Sequence, residues 1–250
     1  MHRLLLPLCA LGFLLAATPA RAFFGVLDEL QKQIESDQSG GADTKALQDL
    51  LKDLQSAPAA DGFSDIDAKA WYAPYVSYAA SKGIVTGYKD SKGKATGKFG
   101  PGDAVTVAQM LKIALKATGI DESICTGRPK HPKAKDHWAS SYVVCAEAMN
   151  ARILKESPPL DRPATRGEVI GLLHDVFQDQ VSSLVSPFKD TKGSPYERDI
   201  AFAYALGIVT GDKDKSGRET GTFRPGDGVK RGEAAKIIYL KMRVKDAKKK

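Results

Sequence analysis

Two arginines have the side chain and the position needed to bind an anion. Arg166 lies in the segment Thr165-Arg-Gly-Glu168 and Arg231 in the segment Lys230-Arg-Gly-Glu233. The Thr-x-x-Glu pattern of the first segment is a capping box, and apolar residues at helical spacing follow both segments, so a helix is predicted to begin at each. An arginine in a first turn is slightly unfavourable beside the helix dipole. Free helix amides and a guanidinium would together suit an anion. A solvated arginine, or one in a salt bridge to another unit, is the alternative.

Trp71 and Trp138 are the two tryptophans of the chain. Each could offer a flat platform to a sugar ring, or could be a core aromatic. Helical spacing of Trp71 with Tyr75, and of Trp138 with Tyr142, is typical of core residues. We expect partial burial, with one edge of each indole exposed at a groove.

Other site chemistries fit the sequence poorly. The stretch Asp212-x-Asp214-x-Ser216-Gly217 begins like a calcium loop, but its twelfth position is Phe223 instead of a bidentate acid. Residues 87–95 (GYKDSKGKA) have one residue too many for a phosphate loop and end in alanine. The four histidines form no metal-spaced pair, and no nucleophile elbow is present. We therefore predict a non-enzymatic protein with no metal and no cofactor.

The elements that would position these residues are built around a stretch that occurs twice. Residues 83–103 (GIVTGYKDSKGKATGKFGPGD) and 207–227 (GIVTGDKDKSGRETGTFRPGD) coincide at a constant offset of 124. A helical pattern precedes and follows each copy, so the unit is predicted to be helix, glycine loop, helix. The glycines are expected to make the chain turn, and Phe99 and Phe223 to dock the loop and aim the next helix.

A degenerate copy lies between these two. It opens at Asp136-His-Trp138, shortens the glycine loop to residues 155–163, and restarts a capped helix at Thr165. The chain is therefore predicted to contain three units. Their bounds are 63–119, 129–181 and 187–243.

The pattern resembles that of the S-layer homology (SLH) family. The resemblance rests on a Phe-x-Asp opening, a Trp-bearing helix, Gly-Ile-Val-x-Gly, Phe-x-Pro and a Thr-Arg-Ala-Glu-like helix start, repeated in order. It implies a mainly α fold of three helix-loop-helix repeats in a pseudo-threefold arrangement around a central helical bundle. It also implies non-covalent binding to cell-wall polysaccharide or a peptidoglycan-linked polymer.

The resemblance further implies that one arginine and one aromatic residue line each groove between units. The matching residues are Arg166, Arg231, Trp71, Trp138 and Tyr196. In the first unit Val107 stands at the arginine position, and Gln109 stands where the family has glutamate. Because of Val107 and the shortened second loop, at most two of three grooves are expected to be complete.

The beginning of the chain is typical of an exported protein. Residues 1–22 combine Arg3, an apolar run over 4–17 and Ala20-Arg-Ala22, the features of a secretory signal peptide. No later stretch is apolar enough to span a membrane. We expect a protein of the cell envelope, in the wall, in the periplasm or at the cell surface.

The charge favours an anionic partner. Without Arg3 and Arg21 the net charge of +7 falls to +5, and the end of the chain, 244–250, is a basic tail. Such a balance suits wall polymer, phospholipid or nucleic acid. Together with the SLH resemblance it predicts an anionic wall polymer or peptidoglycan and no nucleic acid.

Cys125 and Cys145 remain after removal of the signal. An even count in an exported protein favours a disulfide, with two reduced, buried thiols as the alternative.

Residues 23–57 are predicted to form two short amphipathic helices, separated by Ser39-Gly40-Gly41 and followed by a linker over 56–62. Helices this short need packing, whether on each other, on the main domain or on another copy. This segment supports a second hypothesis, an envelope scaffold that acts through protein contacts and self-association.

Overall fold

The computed structural model describes residues 19–36, 42–56 and 62–247. Four stretches that carry sequence predictions lie outside the described residues: signal residues 1–18, the break at 39–41, linker residues 57–61 and the final lysines at 248–250.

The described part of the chain is mainly helical and contains no β-strand, which confirms the mainly α class. Its eight α-helices are α1 (Pro19–Ser36), α2 (Ala42–Ser56), α3 (Ala73–Ser81), α4 (Val107–Thr118), α5 (Ser140–Ala148), α6 (Arg166–Val176), α7 (Glu197–Ala205) and α8 (Arg231–Ala247). None of these helices is long and apolar enough to cross a membrane.

Two of the helices begin at capping boxes, and the box at Thr165 is the one that the Thr-x-x-Glu pattern predicts. The Thr106 hydroxyl accepts from the Gln109 N–H, and the Gln109 side chain accepts from the Thr106 N–H. Thr165 and Glu168 form the same pair at α6. Each box satisfies two amide donors that would otherwise lack a partner, and each cap stabilises its helix by about 1 kcal/mol.

α4, α6 and α8 provide the centre of the hydrophobic core, and α4 contacts both of the others. Each of the three predicted units contributes a helix pair: α3 with α4, α5 with α6, and α7 with α8. The first helices of these pairs pack in a cyclic order. α3 packs against α8, α5 against α4, and α7 against α6. Each pair therefore contributes its first helix to the second helix of another pair, so no pair buries its apolar face alone.

Three backbone amides form a closed ring where the pairs meet. The Val105 N–H donates to the Val229 carbonyl at 2.9 Å, the Val229 N–H donates to Ala164 at 3.0 Å, and the Ala164 N–H donates to Val105 at 2.9 Å. All three residues are fully buried. The ring satisfies three amides in the interior, where an unpaired amide would be costly.

The N-terminal helices pack on each other and on the rest of the chain. α1 and α2 contact each other and α3. Leu30, Leu50 and Leu54 form a cluster with Tyr78 of α3 and Tyr239 of α8. The two helices thus pack both on each other and on the main domain, which are two of the three arrangements that the sequence allowed.

The predicted disulfide between Cys125 and Cys145 is present in the structure, with the two Cα atoms 5.2 Å apart. It joins the loop after α4 to α5. Glu122 supports the same junction, because its carboxylate accepts hydrogen bonds from Lys116 Nζ and from the Tyr142 hydroxyl, both at 2.6 Å.

Candidate functional site

The Phe-x-Asp segments fix the repeated loop in place. The Asp65 carboxylate accepts hydrogen bonds from the N–H groups of Phe99 and Gly100 at 2.8 and 2.7 Å. In the second copy Asp190 accepts from Phe223 at 2.9 Å and from the residue after it. Both phenylalanine rings are buried, so they dock the loop as predicted.

Arg231 reaches from α8 into the first loop and is only 6% exposed. Its Nε donates to the Phe99 carbonyl at 2.7 Å, and its guanidinium lies over the rings of Phe99 and Tyr88 at 4.5 and 4.8 Å. Its Nη atoms make only long contacts, to Gln109 Oε1 at 3.4 Å and to the Thr86 carbonyl at 3.3 Å. Burial lowers the pKa of Arg231. Among the described residues no carboxylate lies within ion-pair distance of it.

Arg166 makes the equivalent contacts in the second loop. Its Nε donates to the Phe223 carbonyl at 2.8 Å, and its guanidinium lies 4.5 Å from the centre of the Phe223 ring. Burial lowers its pKa, and the negative charges of Glu233 and Asp212 partly oppose that effect. Neither Arg166 nor Arg231 is therefore a solvated surface residue.

The helix amides beside these arginines are not free, so that part of the sequence-based expectation is wrong. At α6 the Arg166 N–H donates to the Asp227 carbonyl at 2.8 Å and the Gly167 N–H donates to Pro225 at 2.9 Å. At α8 the partners are Asp103 and Pro101. The third amide of α6 is taken by the Thr165 cap. Loops of other helix pairs thus occupy the donors, and an anion would meet side chains only.

Trp71 and Trp138 lie in the turns immediately before α3 and α5, and so outside the helices to which their spacing assigned them. Pro74 explains the late start of α3, because proline suits the first helical turn. The side chains are 53% and 55% exposed. Partial burial is therefore confirmed.

A groove of about 650 Å³, the first groove, surrounds Arg231. Its lining comes from all three helix pairs: loop residues 84–90, then Gln109, Lys112 and Ile113 of α4, with Trp138 and Arg231.

A second groove of about 660 Å³ surrounds Arg166. Its lining is loop residues 208–213, Arg224, then Glu233, Lys236 and Ile237 of α8, with Trp71 and Arg166. The loop and helix positions repeat those of the first groove at the offset of 124, so the chain builds the same concavity twice.

Comparison with known proteins finds similarity in the repeated part of the chain. The S-layer homology domain profile matches residues 62–111 and 187–235. These residues contain the two complete copies of the loop. The chain is also similar to the middle cell wall protein of Brevibacillus brevis, with 24% identity over 116 residues. That match covers 46% of this chain but only 9% of the length of the other protein.

The two matched S-layer homology regions do not form the grooves alone. Trp138 of the first groove and Arg166 of the second both lie between the matched regions. The segment between them therefore supplies Lys112, Ile113 and Trp138 to the first groove and Arg166 to the second.

Tyr196 lies in neither groove. Its ring packs against α6 where Gly171 has no side chain, and a Cβ at that position would overlap the ring. Gly171 occupies the helix position of Lys112 and Lys236. The absence of a lysine there lets the tyrosine fill the space. The third groove, whose arginine position is occupied by Val107, is therefore filled by the Tyr196 ring at the Gly171 position.

An ion-pair network reinforces this filled position. Arg152 pairs with Asp199 at 2.6 Å and with Asp175 at 2.9 Å, and its guanidinium lies 5.7 Å from the centre of the Tyr196 ring. Burial and the nearby Glu168 carboxylate raise the pKa of Tyr196 to about 12.

Sequence reasoning missed the lysines of the grooves. Lys112 and Lys236 follow Gln109 and Glu233 by three residues, which places each pair on the same helix face. Because the two lysines coincide at the repeat offset, extending the comparison beyond the loop would have found them. Burial lowers the pKa of Lys112, and the positive charges of Lys89 and Lys116 lower it further.

Proposed function

We propose that this protein is an exported, non-enzymatic protein of the cell envelope that binds a cell-wall glycan non-covalently through the first and second grooves. The observation that carries the proposal is the double construction of one groove, each copy with an arginine, a lysine and a half-exposed tryptophan. The S-layer homology matches and the cell wall protein relative support a place in the wall. The signal-like residues 1–22 support export.

The chemistry of each groove suits a substituted sugar. The exposed face of Trp71 or Trp138 offers an apolar surface to a pyranose ring. The guanidinium and the lysine supply several N–H donors to hydroxyl, carboxylate or phosphate oxygens. Since Arg166 and Arg231 are held by their loops, little side-chain entropy is lost when a ligand binds.

The same proposal includes three repeats in a pseudo-threefold arrangement. The cyclic packing of the helix pairs and the ring of Val105, Ala164 and Val229 support it. In such an arrangement the three ring amides open together, only when the whole domain unfolds. Native-state hydrogen exchange should give the three amides the same protection. Exchange of one amide orders of magnitude faster than the others would reject the closed arrangement.

Binding to purified cell-wall sacculi tests the proposal. The double variant Trp71→Ala, Trp138→Ala removes both exposed indoles and should reduce bound protein at least tenfold. The double variant Arg166→Ala, Arg231→Ala should do the same, provided that its circular dichroism remains native. Ile124→Ala with Val185→Ala is the matched control, because both side chains are exposed and lie outside both grooves. If the tryptophan variant binds as well as the control, the grooves are not the site.

A further inference from the structure

The two grooves share a design but differ in the residue beside the arginine. At the third position of the helix, α4 has Gln109 and α8 has Glu233. The linings carry the same net formal charge, so the difference lies in where the negative charge is located.

In the first groove the helix residue beside the arginine is neutral, and Asp103 and Asp65, whose charges act on Arg231, lie outside the lining. Gln109 Oε1 faces Arg231 Nη1 at 3.4 Å, and the glutamine is neutral. Lys112 and Lys89 line the same groove, and the pKa of Lys112 is lowered first by burial and then by repulsion from Lys89. The acid of this lining, Asp90, accepts the backbone N–H groups of its own turn at 2.9 Å. An arriving carboxylate or phosphate would relieve this repulsion.

In the second groove an acid already stands near the arginine. Glu233 is the strongest of the charges that favour the protonated form of Arg166. Arg224, which has no counterpart in the first groove, is held by Asp212 at 2.8 Å and by Asp227 at 2.9 Å. An arriving anion would meet the carboxylate of Glu233 beside Arg166, which opposes its binding.

We propose that the two grooves bind sugars of different charge: the first groove binds an acidic sugar and the second groove an uncharged sugar. Gln109 and Glu233 set this difference. This inference rests on the proposed function, since it assigns a ligand class to each of its two grooves. One negative charge within a few ångströms, in a groove open to water, changes the affinity for a charged ligand by about tenfold.

The chain provides a separate reporter for each groove. Trp138 is in the first groove and Trp71 in the second, and the chain has no other tryptophan. Trp71→Phe therefore leaves fluorescence that reports on the first groove alone, and Trp138→Phe leaves fluorescence that reports on the second.

The probes are the disaccharide N-acetylglucosaminyl-N-acetylmuramic acid and its methyl ester, which differ by one negative charge. The fluorescence of Trp138 should change at about tenfold lower concentration of the acid than of the ester. Trp71 should respond to the ester at the same or a lower concentration than to the acid. Gln109→Glu should abolish the preference of the first groove, and Glu233→Gln should create that preference in the second.

Gln109→Glu preserves the start of α4, because Gln109 and Glu168 already form the same capping box in this protein. Glu233→Gln keeps a side-chain oxygen for the Lys230 N–H, which donates to Glu233 at 2.9 Å. The inference would be overturned if both grooves had the same charge preference, or if Gln109→Glu and Glu233→Gln changed neither preference. Either result would leave the proposed function standing. The inference would also be overturned if neither probe changed the fluorescence of either tryptophan in protein that still binds sacculi. Absence of sacculus binding by the unaltered protein would overturn the proposed function itself.

Discussion

The guanidinium of Arg231 donates a hydrogen bond from Nε to the carbonyl oxygen of Phe99 at 2.7 Å and lies over the ring of the same residue. Phe99 is buried and belongs to the loop that the chain repeats. The arginine therefore fixes the loop with one side of its guanidinium and faces the groove with the other. Its structural and binding roles should separate in experiments.

Arg231→Lys tests the structural role. Lysine keeps the charge but loses the Nε donor and the planar stacking, so the Phe99 carbonyl is left without its partner. The free energy of unfolding should fall by about 1–3 kcal/mol in urea denaturation. Arg218→Lys is the control, since Arg218 is 82% exposed and should stay within about 0.5 kcal/mol of the unaltered protein. Equal stability of the two variants would show that the Phe99 contact contributes little.

Glu122 should make stability depend on acid pH. Hydrogen bonds from Lys116 and Tyr142 hold its pKa at about 2, below the ordinary 4.5. A depressed carboxylate pKa stabilises the folded state fully above pH 4.5, and this contribution is lost as the pH falls through 4.5 towards 2. The stability difference between the unaltered protein and Glu122→Gln should be constant from pH 7 to about 5.5 and then shrink. A pH-independent difference in urea unfolding would contradict the assignment.

Reduction of the disulfide should destabilise the fold. The cysteines are 20 positions apart, and closing a loop of that size contributes about 3 kcal/mol by chain entropy. Dithiothreitol should lower the urea midpoint of the unaltered protein by the corresponding amount. The variant Cys125→Ala, Cys145→Ala should match the reduced protein and show no response to dithiothreitol. A variant as stable as the oxidised protein would mean that the bridge constrains little.

The N-terminal helices should contribute to the stability of the whole domain. Leu54 is fully buried among α1, α2 and the tyrosines of α3 and α8. Leu54→Ala should cost about 2–5 kcal/mol in urea unfolding, as for other large-to-small core changes. Leu184→Ala is the control, because Leu184 is exposed. A loss below about 1 kcal/mol would indicate that the hairpin is only loosely attached.

Removal of residues 23–57 distinguishes a packing role from an assembly role. The segment covers Tyr78 and Tyr239, so deletion should expose an apolar patch and increase association in static light scattering. A segment that mediates self-association predicts the opposite result. A smaller average mass after deletion would therefore favour the scaffold hypothesis.

Much of the local structure follows from the sequence alone. The capping boxes at Thr106 and Thr165, the twin loops and the mainly helical class depend on residues only a few positions apart. The side-chain types of the grooves, Arg166, Arg231, Trp71 and Trp138, were also found from the sequence. Their contact with ligand remains a prediction.

The tertiary structure decided which of these residues meet. Nothing local pairs Trp138 with Arg231, or Trp71 with Arg166, because each pair is joined only by the cyclic packing of three helix pairs. The same packing occupies the helix amides that seemed free and seats Tyr196 on Gly171. Local pattern determines what a residue can do, whereas long-range contacts determine which donors, rings and charges remain available to a ligand.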